Sequence, residues 1–464
     1  MAAIHGKNYG KPTLDLNFAG NKSLIDTTTG TNYITFTRAQ SGNEATYVGS
    51  DGLIKYAAAD EARFDHDPVT GECLGLLIEE SRTNLQPYGS DYSTNYWDFS
   101  YGISKTPNAT VSPDGTLSAT LIQQDTTDSI HQLAGGFGFN SGYITTSSTY
   151  TLSLYVKYYN SNKIRLMEQA TYGGSTDGSY TKAGVVFNFA TESIEKTIQW
   201  NSSSQSRIAG YKVDKFPNGW YRLNLSVIPG GDTNNQRVYF GIYPQEGNLS
   251  TLQPIPPGAV GIDGQNYSSL TPVTNFVGDG TTGVYIWGAQ VEIGSFPTSN
   301  IPTTGSTVTR AADVASITGT NFSSWYNQSE GTIYVDFDKA TTQRQNPFAI
   351  SDGTGTNRMS VYYQDDLAVS YIVSSAGGFD QSVYTTSVQL SSKYILGYSS
   401  GNTRPAINGN LGTVITESNL PINTTIFFGR RDEGDILYML TGHISRLTYY
   451  PKRLPDIELQ QLTK

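Results

Sequence analysis

The 464-residue chain almost never repeats its apolar residues at the three- and four-residue spacing of a buried helix face. What recurs instead is short alternation of apolar and polar residues, in runs rich in Val, Ile, Tyr, Phe and Thr, cut by clusters of Gly, Asn, Asp, Ser and Pro. Side chains of an extended chain point to opposite faces in turn, so each run offers one apolar face to a core and one face to something else. A chain made of many such runs is expected to be all-β, a sandwich or barrel. The clear runs are Thr151–Tyr159, Ala183–Phe189, Trp220–Val227, Arg237–Tyr243 and Gly283–Ile293. A second series follows at Gly331–Phe337, Met359–Tyr363, Tyr394–Tyr398, Thr425–Phe428 and Gly442–Tyr450. One helix is expected, at the end, where Pro455 and Asp456 precede IELQQLTK and place a proline and an acid in the first turn.

Charge and composition narrow the function classes. Only 15% of residues are charged, against roughly 25% in an ordinary globular chain, and Lys and Glu suit helical surfaces better than pleated ones. The aromatic content of 12% argues against disorder. A net charge of −10 without a basic cluster argues against nucleic acid as a partner. No apolar run approaches the roughly 18 residues that span a bilayer, so membrane insertion is not expected. The start, MAAIHGKNYG, lacks the charged-then-apolar pattern of a leader. A single cysteine, Cys73, excludes an internal disulfide and fits a reducing compartment.

Two breaks divide the chain. TNLQP at Thr83–Pro87 closes a turn-rich stretch, and PTSNIPTTGS at Pro297–Ser306 separates the two strand series. The expected units are a small, mostly irregular or β segment over 1–82, a β-sandwich over 83–304 and a second over 305–464. The first unit holds two strand-like runs, Thr13–Phe18 and Tyr33–Arg38, too few to make a core alone, so it should lean on a neighbour or a partner chain. Thr37-Arg38-Ala39 is echoed by Thr309-Arg310-Ala311. No period of 20–50 residues, heptad or Gly-X-Y repeat is present, which disfavours solenoids, propellers and long fibre shafts.

Three stretches carry a family resemblance. Arg63–Leu85 (RFDHDPVTGECLGLLIEESRTNL) resembles a segment near the N-termini of bacteriophage virion proteins, many from phages of cyanobacteria and usually described as tail fibre or structural proteins. The middle, with Trp97, PDGT at Pro113–Thr116, TLSLYVK, WYR at Trp220–Arg222 and Val284–Ile301, is similar to the jelly-roll carbohydrate-binding modules of families four and nine. The last part, with Glu330–Asp338, AING at Ala406–Gly409, FFGRR and the closing LTGHISRLTYYPKRLPDIELQQL, looks like a concanavalin A-like, laminin-G-type sandwich. The resemblance implies a virion protein assembled in host cytoplasm: a tail fibre tip, short appendage or head or tail decoration. It further implies that residues 1–82 bind other virion proteins and that the chain is a homotrimer. Such folds host many functions, so it supplies a class and no chemistry.

Enzyme chemistry finds little support in the residues. Concanavalin-like glucanases carry E-x-D-x-x-E or E-x-D-x-E on one strand; here Asp336 and Asp338 alternate with no third acid, and Asp365-Asp366 are adjacent. Solvated turn and edge acids explain these, and the expected protein is not an enzyme; a polysaccharide-degrading activity is the remote alternative. His5, His66, His131 and His443 lack zinc spacing, and no cofactor is expected. A structural calcium ion could sit on Asp65 and Asp67, though an Asx turn closed by Pro68 and Gly71 explains the same residues more simply. Cys73, in CLGLLI, reads as a buried inert thiol.

The positive candidate is a contact face. Alternation sends Leu152, Leu154 and Val156 one way and Tyr155, Lys157 and Tyr159 the other. The same logic turns Trp220, Arg222 and Asn224 outward from Tyr221, Leu223, Leu225 and Val227, and Tyr239 and Tyr243 outward from Val238, Phe240 and Ile242. One sheet would then present Tyr155, Lys157, Trp220, Arg222, Asn224, Tyr239 and Tyr243 away from the core. Rings that cover apolar sugar faces, beside side chains that fix hydroxyls, suit a host cell-surface glycan. The same composition suits another virion subunit or the rest of this chain, and Trp220 could equally lie under a loop. Trp287, between Ile286 and Gly288, reads as core. The expected activity is attachment through lectin-like sandwiches, with a purely architectural role as the rival reading.

Overall fold

A computed structural model describes residues 10–97, 100–129, 131–137, 148–171, 180–199, 207–229, 237–244, 276–341, 343–364, 367–374, 378–385, 389–432 and 438–464. The alternating runs become strands of two sandwiches, with bounds close to those expected: Tyr150–Tyr158, Trp220–Ile228, Gly283–Ile293, Glu330–Asp338, Thr425–Phe428 and Gly442–Tyr450 among them. The closing helix forms over Asp456–Leu462. Among the described residues no helix is long and apolar enough to cross a membrane.

In the middle sandwich a six-stranded sheet runs in the order Arg207–Lys215, Trp220–Ile228, Tyr150–Tyr158, Gly283–Ile293, Leu117–Gln124, Ile103–Val111. It faces a five-stranded sheet of Leu133–Phe137, Arg237–Pro244, Lys163–Thr171, Tyr180–Asn188 and Ser193–Gln199. Leu152, Leu154, Val156, Leu223, Leu225, Ile286 and Val291 from the first meet Ile164, Leu166, Val185 and Phe187 from the second in one fully buried core. The inward sets are those alternation predicts.

In the last sandwich a seven-stranded sheet opposes an eight-stranded one, with Phe348, Ile350, Met359, Val361, Ile426 and Phe428 packed against Ile333, Val335, Tyr394, Leu396 and Leu447. The closing helix lays Leu459 and Leu462 over Ile395 and Ala406 on the outer side.

The segment 1–82 departs from expectation. It is no free attachment arm, because its strands belong to the last sandwich. Leu14–Leu16 pairs with Gly442–Tyr450, and so does Cys73–Ile78, which in turn pairs with Phe64–His66. Thr35–Thr37 extends the seven-stranded sheet through Val314–Thr318. Leu14, Leu16, Phe18, Leu76 and Ile78 are buried in the same core. Two short runs could not cover themselves, and the chain resolves this by returning more than 200 residues later to complete the sheets they begin.

A buried ion cluster locks the join. Arg38 contacts Asp313 at 2.9 Å, Arg63 reaches both Asp313 and Glu79, and Arg310 also reaches Glu79, with every one of these side chains at most 3% exposed. Ser299, from the stretch read as a linker, donates through its N–H and its hydroxyl to Glu79, both at 2.7 Å. Burial alone would raise the Glu79 carboxyl, but Arg310 and Arg63 hold it down at about 2. The repeated Thr-Arg-Ala therefore has a structural meaning: both copies deliver a guanidinium to one cluster.

Candidate functional site

The outer face of the six-stranded sheet holds most of the residues alternation turns away from the core, and the chain itself covers part of it. Residues 45–57 form a hairpin, Ala45–Val48 with Ile54–Ala57, turned at Asp51-Gly52 with Gly52 at φ +75°. Ile54 and Val48 pack on Tyr155, Phe216, Trp220, Trp287 and Ala119 as a second, smaller core. The hairpin is tied down by Ile54 N–H to Pro113 O (2.9 Å), Thr46 Oγ1 to Asn300 O (2.6 Å) and Val48 N–H to Asp65 Oδ1 (2.6 Å).

Beneath it the ring of Tyr155 meets Trp287 edge-on at 5.4 Å and Phe216 at 5.2 Å. The indole N–H of Trp220 donates to Val111 O, and that of Trp287 to Ser118 Oγ, both at 3.1 Å. A bulge makes this layer possible. The register slips between Ser153 and Tyr155 opposite Gly288, whose φ of +62° absorbs the extra residue, so Ile286 and Ala289 face the core while Trp287 faces out. A Cβ on Gly288 would stand 3.0 Å from the Tyr155 ring.

This corrects the expected site. Tyr155 and Trp220 are buried in the second core rather than exposed; Arg222, over the Tyr155 ring at 5.4 Å, and Asn224 are buried as well. Asn224 accepts from Ser153 and donates to Asp214, each at 2.9 Å, which is a cross-strand network and leaves little to offer a ligand. Tyr239 and Tyr243 lie on Arg237–Pro244, which belongs to the opposite, five-stranded sheet, so the seven residues do not share one sheet; their side chains are outside the described residues. Alternation says which side chains leave the inter-sheet core, not what lands on them. The Asp51-Gly52 hairpin signal could have shown the cover.

What stays open is the other end of the same face. Lys157, the cross-strand partner of both Tyr285 and Trp220, is half-buried, with its ammonium 6.0 Å from the Trp220 ring. Tyr159, 40% exposed, stands against Tyr285 at 5.4 Å with the rings nearly perpendicular. Asn160 braces this corner: its Nδ2 donates to Thr281 O (3.1 Å), and its Oδ1 accepts from Gly283 N–H (2.8 Å).

The acids considered for metal or hydrolysis have other partners. Asp67 closes its own turn, accepting from Val69 N–H (2.9 Å) and Thr70 N–H (2.7 Å), as the Asx-turn reading requires. Asp65 takes Val48 N–H on one oxygen and stands 2.9 Å from His443 Nε2 on the other. His443 Nδ1 lies 2.9 Å from Asp338, so this imidazole bridges two carboxylates from distant parts of the chain. Burial opposes its charge, yet Asp338 and Asp65 raise its pKa to about 10 and hold it as imidazolium. Sequence reading dismissed His443 as scattered, since its partners lie 105 and 378 residues away. Asp338 is thus engaged, while burial raises its neighbour Asp336. Among the described residues no group of three or more His, Cys, Asp or Glu could hold a metal ion.

No protein-family model matches the chain, and no curated protein does. Solved structures similar to part of it include the CBM40 module of the Ruminococcus gnavus IT-sialidase bound to α2,3-sialyllactose, at 18% identity over 30% of this chain and 83% of that one, TM-score 0.27. The K499G mutant of NanB sialidase from Streptococcus pneumoniae matches at 17% over 32% of this chain and 26% of its own, TM-score 0.27. The binding domain of botulinum neurotoxin DC, solved with rat synaptotagmin II, matches at 14% over 32% and 39%, TM-score 0.26.

Proposed function

We propose that the protein is a non-enzymatic attachment protein of a bacteriophage particle, assembled in host cytoplasm, which holds host surface carbohydrate on the open end of the middle sandwich. The observation that carries the sugar-binding part is the exposed Tyr159–Tyr285 pair beside Lys157 on an otherwise flat sheet face. Two rings braced at a right angle offer apolar area to the C–H face of a pyranose, and an ammonium beside them can donate to its hydroxyls. Each contact is weak, and many copies on one particle, as in the trimer the family resemblance implies, would turn it into avidity. The phage part rests on the resemblance of Arg63–Leu85 alone.

A glycan array probed with the full chain tests the reading: retention that falls at least about tenfold in Tyr159→Ala is expected, equivalent to about 1.4 kcal/mol. No retention on any glycan would leave the architectural role, which the chain's own covering of Tyr155, Trp220, Arg222 and Asn224 favours. Release of reducing ends from host polysaccharide would make it an enzyme instead.

A further inference from the structure

The seven-stranded sheet carries a second, differently built feature at the end where Phe348–Ser351 begins and Arg358–Gln364 ends. There the Arg344 guanidinium lies 3.8 Å from the Tyr362 ring centroid and 4.2 Å from that of Tyr438, held between the two rings. Tyr362 points outward, because its neighbours Val361 and Tyr363 are in the core. Arg344 has no hydrogen-bond or ion-pair partner among the described residues, and its buried Nε is unsatisfied. The nearby Asp432 does not serve it, being taken by Arg431 at 2.8 Å.

Arg222 makes a useful contrast. It too lies on a tyrosine and leaves Nε and Nη2 unpaired, but at 8% exposure it is closed beneath the layer described above. Arg344 is only half-buried, as are both of its rings.

We infer that Arg344 is a carboxylate-recognition point for an acidic polysaccharide, one built of uronate residues. A guanidinium clamped on both faces keeps its donors in the plane between the rings, and they form a rigid fork matching the two oxygens of a carboxylate. Because the rings already fix the side chain, little rotamer entropy remains to be lost on binding. A hexuronate carries its carboxylate beside ring C–H groups, so the partly exposed tyrosine edges meet the sugar while the fork meets the acid. The inference rests on the glycan-binding reading for the polymer itself. It adds a subsite on the other sandwich and assigns the charge of the ligand.

The test is co-sedimentation of the full chain with polygalacturonate and with neutral dextran, over a series of NaCl concentrations. The chain should be retained on polygalacturonate in preference to dextran, and Arg344→Gln should weaken this at least about tenfold. Arg344→Lys should fall nearly as far, because it restores the charge without the fork. Polygalacturonate retention equal in wild type and Arg344→Gln overturns the inference, as does full rescue by lysine. If neutral glycans are retained through Tyr159 while polygalacturonate is not, the inference fails and the glycan reading stands. If nothing is retained, both fail.

Discussion

The outer face of the six-stranded sheet is one surface by alternation and two by environment. Tyr155, Trp287 and Trp220 lie at one end under Ile54 and Val48; Tyr159 and Tyr285 lie at the other with nothing on them among the described residues. The residue types are nearly the same in both halves. The covered half stabilises the join between the first 82 residues and the middle sandwich, whereas the open half contributes little to the fold and is free to bind. An aromatic-rich sheet face is therefore a binding site only where the rest of the chain leaves it alone.

The covered side should respond strongly to truncation. Asp313→Ala strips the shared partner from Arg38 and Arg63 and from the Glu79 N–H, leaving buried cations unpaired. It should cost about 3–5 kcal/mol in denaturant unfolding. Trp287→Ala empties the second core and should cost about 3–5 kcal/mol, and a loss under 1 would show that the hairpin is a loose flap rather than a cover. Gly288→Ala forces a side chain into the left-handed region and toward the Tyr155 ring, for about 1–3 kcal/mol.

The His443 bridge gives a pH signature to the same join. Folding raises its pKa from 6.5 to about 10, so its stabilisation is complete below pH 6.5 and is lost as pH climbs through 10. The unfolding midpoint of wild type should therefore drop toward that of His443→Asn between pH 7 and 10.5; parallel curves would remove the bridge from the account. On the open side, Tyr159→Ala should change stability by no more than about 0.5 kcal/mol while glycan retention falls. A large stability loss there would erase the distinction between the two halves.

Most strands of the two sandwiches could be read from the sequence, because period-2 alternation is local and each run states its own inward face. Gly283–Ile293 and Gly442–Tyr450 form with the bounds expected. The first 82 residues could not be read in this way. Leu14–Leu16, Phe64–His66 and Cys73–Ile78 are short, and their pairing partner, or the one beyond it, is Gly442–Tyr450, more than 360 residues away. Of the seven expected contact residues, Lys157 alone stands half-open among those whose side chains are described. Tyr159 was placed on the right face by the same reasoning, and its ring partner Tyr285 was not singled out.

By itself the sequence determined the all-β class, the inward side of each main strand and the closing helix, since these follow from spacing along a few residues. Only the tertiary structure decided that Arg38 and Arg310 share a cluster, that His443 bridges Asp65 and Asp338, and which rings stay bare. Those outcomes depend on segments hundreds of residues apart arriving at one place, and no local pattern encodes what will pack against a side chain once it has turned away from its own core.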